Sequence, residues 1–144
     1  MVLVEEVKLP PADRGYIYFA EITLDGEKFT KVGYSQNPNR RFTYDLSEFE
    51  HNEVYISFKN IIPMMDWMYE HAEYTPDATY WEKLMHSVMR KAGIQYTPSE
   101  EFSGSTECYR LTPQEYKAAI DYLEEQLSMM APPKDWYIPY NLEQ

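Results

Sequence analysis

The sequence has one cysteine, five glycines and few basic residues for its 144 positions. A single cysteine excludes an intrachain disulfide and any cysteine-based zinc cluster, and it fits a reducing compartment. Thirteen Lys and Arg stand against 24 Asp and Glu, a net charge of −11, so the broad basic footprint of a general nucleic-acid binder is missing. No apolar run approaches the ~18 residues of a membrane span. The opening Met1-Val2-Leu3-Val4-Glu5-Glu6-Val7 carries acids where a signal peptide is basic. There is no repeat, low-complexity tract, Walker loop, Gly-x-Ser-x-Gly or dinucleotide fingerprint. The expectation is a soluble intracellular (cytoplasmic) protein of one compact domain, with no membrane partner.

What is abundant is tyrosine, with 14 copies, and acid that is unevenly placed. From Lys28 to Arg41 there are four bases (Lys28, Lys31, Arg40, Arg41) and no acid; from Phe42 to Glu82 there are nine acids and one base, Lys59. The charge balance predicts weak binding to random duplex, with a salt slope from only about two to four phosphate contacts made by those four cations, joined by Arg90 and Lys91.

Residues 1–14 contain Pro10-Pro11 and read as an edge element or arm. Tyr16 to Thr23 is β-branched and aromatic, Asp25-Gly26 is a hairpin pair, and Phe29 to Tyr34 is the returning strand. Asn37-Pro38 opens a helix to about Leu46. Val54 to Phe58 reads as a third strand, and the Met- and Trp-rich segment 61–74 as a short helix. Thr75-Pro76-Asp77 starts a helix ending near Gly93, with Trp81, Leu84, Met85, Val88 and Ala92 on one face. Tyr109-Arg110-Leu111 is extended, and Thr112-Pro113-Gln114-Glu115 is a capping box before the last helix. The tail after Met130 shows no helical pattern. The fold class is α+β, with a small, mainly antiparallel, three-stranded sheet flanked by helices. The divisions are an arm at 1–14, a domain at 15–130 with an insertion at 60–76, and a tail at 131–144.

Chemistry concentrates in a few patterns. Gly15-Tyr16-Ile17-Tyr18 ends in a strand; Lys31-Val32-Gly33-Tyr34-Ser35 follows on the next; Arg41 lies eight residues after Gly33, in Asn37-Pro38-Asn39-Arg40-Arg41; Glu82-x-x-x-His86 lies on a helix; and Glu107-Cys108-Tyr109 follows. This arrangement resembles the GIY-YIG nuclease superfamily over about residues 15–120. It resembles the phage-type members that carry Lys-Ile-Gly for the second signature and a Glu-Trp-Phe triplet downstream. The chain departs from the pattern by Tyr16 before the Ile-Tyr pair, Lys31 in place of a tyrosine, and Cys108 for Trp.

The resemblance implies a metal-dependent endonuclease hydrolysing DNA phosphodiesters, of phage or mobile-element origin. It implies Glu82 as ligand of one Mg²⁺ or Mn²⁺ ion, and Tyr18, Lys31, Tyr34, Arg41 and His86 as catalytic residues. Such a reaction needs a base for water and positive charge on the phosphoryl oxygens. A lone carboxylate with several waters suits Mg²⁺. Arg41, with Arg40 beside it, offers a planar fork to phosphate. A tyrosine acting on water needs a cation such as Lys31 to lower its pKa. Cys108 reads as buried filler, and His51 and His71 as surface residues. The competing reading is an acidic, catalytically silent protein of the same fold that inhibits a basic nucleic-acid-binding partner by presenting carboxylates where phosphates would sit.

Overall fold

The computed structural model describes residues 1–69, 79–102, 104–130 and 132–136, with the backbone alone for 43–45. The strands are β1 (Val2–Glu5), β2 (Tyr16–Leu24), β3 (Glu27–Ser35), β4 (Val54–Pro63) and β5 (Cys108–Tyr109); the helices are α1 (Pro38–Asp45), α2 (Tyr80–Lys91) and α3 (Pro113–Ser128). The expected helix entry at Thr75-Pro76-Asp77, His71 and residues 137–144 of the tail lie outside the described residues. Among the described residues no helix is long and apolar enough to cross a membrane.

The hairpin β2–β3 forms as its sequence requires, with Leu24 opposite Glu27 and Asp25-Gly26 as the two-residue turn. β4 pairs antiparallel with the other edge of β2. The sheet then extends beyond the three strands expected. Its order is β1-β4-β2-β3-β5, a mixed five-stranded sheet. The arm is β1, parallel to β4 with Val2 opposite Val54. β5 adds to the far edge, with Lys31 opposite Cys108. A two-residue strand and a four-residue edge strand carry too little pattern to stand out in sequence; their partners define them.

β4 is also longer than its expected Val54–Phe58 and runs through residues 60–63, at the start of the segment 60–76. The cause is a β-bulge. Phe19 pairs with Asn60 while Ala20 pairs with Phe58, leaving Lys59 as the extra residue. Val54, Ile56 and Phe58 share one face, and Ile61 returns to it; Ile62 and Met64 serve the other. The alternation slips by one at Lys59, so a strict period-two reading ends the strand there. In the expected helix 61–74, the described part is instead strand to Pro63 followed by a short 3₁₀ turn at Asp66–Tyr69.

The two faces of the sheet have separate cores. Tyr16, Tyr18, Ala20, Ile22 and Phe29 pack with Phe42 and Leu46 at α1 and with Phe58. Ile17, Phe19 and Val32 pack with Trp81, Met85 and Met89 of α2 and with Tyr116, Ala119, Leu123 and Leu127 of α3. The Tyr18 ring meets Phe42 edge-on at 5.5 Å and Phe58 at 5.9 Å. α3 begins with the capping box its sequence announces: Glu115 N–H donates to Thr112 Oγ1 at 3.1 Å, and Thr112 N–H donates to Glu115 Oε1 at 2.9 Å.

Gly33 is fixed by close approach. A Cβ there would stand 2.4 Å from Tyr18 Oη and 2.9 Å from Lys31 Nζ. Gly33→Ala is expected to destabilise the fold by about 1–3 kcal/mol through overpacking, read as a lower urea midpoint. A midpoint equal to that of the unaltered protein would show that Tyr18 moves aside at no cost.

Candidate metal centre

α2 places Glu82 and His86 one turn apart at the border of its apolar face, as the Glu-x-x-x-His spacing requires. Against them stands Glu107, at the end of the Ser105–Glu107 3₁₀ turn that leads into β5. His86 is 5% exposed. Its Nε2 lies 3.5 Å from Glu82 Oε2 and 3.4 Å from Glu107 Oε2, yet makes no well-formed hydrogen bond. Its Nδ1 lies 2.6 Å from Tyr109 Oη, and the two rings stack. The ligand-type atoms of Glu82, His86 and Glu107 all fall within 4.8 Å of one another, so this group is able to hold a metal ion. A buried imidazole nitrogen lacking a hydrogen bond and flanked by two carboxylates is a donor set that fits a divalent cation. Tyr109 fixes the ring from behind, as an outer-shell partner of a ligating histidine does.

Glu107 faces two ways. Its Oε1 accepts from Lys31 Nζ at 3.3 Å, while Oε2 faces His86. Lys31, 1% exposed, also donates to Tyr18 Oη at 3.2 Å. The lysine needs space that two glycines leave: besides Gly33, Gly104 sits at φ +92°, where a Cβ would meet Lys31 Cε at 2.4 Å. Burial acts to lower the Lys31 pKa, but Tyr18 and Glu107 outweigh it and the value is raised. Burial likewise acts to raise Glu107, but His86 and Lys31 prevail and hold it at about 2. Burial lowers and the two carboxylates raise His86, with a net rise.

Of the residues singled out from sequence, Tyr18 joins Lys31 on the α1 side of the sheet, and Glu82 joins His86 on the α2 side. Glu107 connects the pairs. Tyr34 packs on the α2 side: its hydroxyl donates to the Arg14 carbonyl and accepts from Gln36 Nε2 at 3.1 Å, and its pKa is raised by burial and by the nearby Glu82 carboxylate. Arg40 and Arg41 are exposed on α1, whose Phe42 seats on Tyr18. Cys108 is buried, and burial pushes its thiol up to about 12. The residues of the centre that the sequence reading does not single out are Glu107 and Tyr109; their signal is the Glu107-Cys108-Tyr109 triplet, which enters that reading only as part of the family resemblance.

The centre opens into a cleft of about 500 Å³ lined by Glu82, His86 and Glu107 together with Thr79, Lys83, Ser87, Arg90 and Lys91. Cationic side chains thus stand beside the carboxylates, in a protein whose net charge is −11.

The low pKa of Glu107 makes it a source of stability that is complete above about pH 4.5, its ordinary value, and is lost as pH falls towards about 2. Glu107→Gln is expected to cost on the order of 3 kcal/mol at neutral pH, because it leaves Lys31 buried without its carboxylate. It should also flatten the acid limb of stability below pH 4.5. Urea melts across that range check both; an unchanged acid limb would mean that Glu107 is ordinary in the folded state.

No curated protein and no solved structure matched this chain. A family model, the T5orf172 domain, matches residues 15–124, a span that includes Tyr18, Lys31, Glu82, His86 and Glu107. The chain belongs to the T5orf172 domain family, a family linked to phage and homing-endonuclease-like nucleases.

Proposed function

We propose that this protein is a divalent-metal-dependent endonuclease that hydrolyses DNA phosphodiesters, of the GIY-YIG kind. The observation that carries the reading is His86 Nε2, buried and without a well-formed hydrogen bond between Glu82 and Glu107 at the wall of an open cleft. Membership of a family linked to nucleases supports it.

Glu82, His86 and Glu107 would hold the ion. When bound, it supplies Lewis-acid polarisation of a phosphoryl oxygen and of water. The protein's own groups do the rest. Tyr109 holds the imidazole so that Nε2 faces the carboxylates. Lys31 keeps Glu107 ionised and aimed. The Tyr18 hydroxyl accepts from the Lys31 ammonium, which orients it. Arg41 provides a fork for a phosphate. Three protein ligands including an imidazole favour Mn²⁺ over Mg²⁺, since Mg²⁺ dehydrates reluctantly and prefers oxygen.

Plasmid nicking with Mn²⁺ or Mg²⁺ tests the reading. Glu82→Gln and His86→Gln are expected to abolish nicking while retaining a cooperative melt. Arg41→Ala should lose about 10²–10³ in rate, the cost of removing a group that stabilises the transition state, and Arg40→Ala little. Full activity in Glu82→Gln would remove the centre from the reaction. Equal small effects at Arg40 and Arg41 would make the Gly33-to-Arg41 spacing accidental. If the unaltered protein nicks with neither metal, the acidic interaction protein is the better reading.

A further inference from the structure

The cations that the sequence groups together do not form one surface. Lys31 is buried and committed to Tyr18 and Glu107. Lys28 sits near the hairpin end of β3 and pairs with Glu21 at 3.7 Å. Arg40 and Arg41 lie beyond the opposite end of that strand, and the stretch from Lys28 to Ser35 alone spans about 23 Å. The stretch from Lys28 to Arg41 therefore yields no continuous phosphate footprint.

α2 does yield one. Taking Glu82 as zero, the 3.6-residue period puts His86 about 40° round the helix, Arg90 about 80°, Lys83 about 100°, Ser87 about 140° and Lys91 about 180°. The apolar Trp81, Met85 and Met89 occupy the other side, at about −100° to −20°, and are buried. The metal ligands therefore run directly into a polar, cationic stripe on the same helix, with no apolar residue between them. Lys83, Ser87, Arg90 and Lys91 are all exposed, and all line the cleft that holds Glu82, His86 and Glu107. Arg90 donates to the Thr106 carbonyl at 3.2 Å and bonds the Tyr109 side chain, which steadies its guanidinium, and its five N–H groups leave others for a ligand.

We propose that the exposed stripe Lys83–Ser87–Arg90–Lys91 of α2 is the DNA-backbone binding surface, holding phosphates that flank the one at the metal centre. This deepens the nuclease reading and rests on it. From Lys83 to Lys91 the helix rises about 12 Å, the axial length of about three to four nucleotides of one strand. The contacts are to phosphate and carry no base preference. Beyond this stripe and the fork of Arg41, the acid excess of the chain opposes a wider footprint.

The test is the salt dependence of binding to a fluorescein-labelled 20-base-pair DNA duplex, in EDTA so that metal-dependent cleavage is blocked. The slope of log affinity against log salt falls by ~0.9 for each phosphate the protein ceases to neutralise. Lys83→Ala/Arg90→Ala/Lys91→Ala is expected to lower it by about two to three, with Arg40→Ala/Arg41→Ala lowering it less. Lys83→Gln/Lys91→Gln, which spares the Arg90 bond to Thr106, should lower it by about two and guards against a folding defect in the triple variant. An unchanged slope in both α2 variants, or a slope abolished by the α1 pair alone, overturns the proposal. Nicking assays on the same proteins separate the two readings. If the unaltered protein cuts no plasmid while the slope falls in the α2 variants, hydrolysis fails and the surface stands; if the unaltered protein nicks and the α2 variants keep its slope, the surface alone fails.

Discussion

The burial of the Lys31 ammonium constrains much of this structure. A charge so far from water survives only when it is paired and hydrogen-bonded. Tyr18 and Glu107 meet that demand, at 3.2 and 3.3 Å. Two glycines, Gly33 and Gly104, lie far apart in sequence and have one purpose in common: neither can carry a Cβ while the lysine and its tyrosine stay where they are. The lysine also reaches round the sheet edge. Its cross-strand neighbours Ala20 and Cys108 pack on the α1 side, yet its amine ends on a carboxylate whose other oxygen faces His86 of α2. Through that single side chain the two cores, otherwise separated by the sheet, share an electrostatic state.

Glu107 answers to Lys31 and His86 at once, and this shapes what the cleft can bind. In the absence of metal, a proton on His86 can balance Glu82 and Glu107. Were a metal to bind there, Nε2 would be a ligand and that proton would have to leave, so uptake would be coupled to proton release and apparent affinity would rise with pH across the histidine range. Holding Glu107 ionised from the Lys31 side keeps one ligand ready through this exchange.

Local chemistry made much of the fold legible. The aromatic strand pair, the Asp25-Gly26 turn, the Asn37-Pro38 helix entry and the Thr112–Glu115 box each rest on interactions within a few residues, and each forms. β1 and β5 were obscure because their strand character comes from distant partners. At the site, Glu82 and His86 could be paired from helical period alone. Glu107 could not be joined to them, since its place depends on a 3₁₀ turn, a glycine at φ +92° and a lysine 76 residues earlier. The cationic stretch from Lys28 to Arg41 misled for the opposite reason: neighbours in sequence pointed to different faces and ends of one strand.

The extra residue at Lys59 has a consequence for how this chain can vary. Upstream of it β4 feeds alternate side chains to the α1 core; downstream the parity is reversed, and Ile62 and Met64 reach the α2 and α3 side. Loss of that one residue would leave the sequence of the strand otherwise intact and exchange the cores its far half serves. Single-residue insertions or deletions in β4 are thus not graded perturbations but a change of address for every apolar side chain beyond them. Variation in length is accommodated far more readily in the connections around the sheet than in this strand.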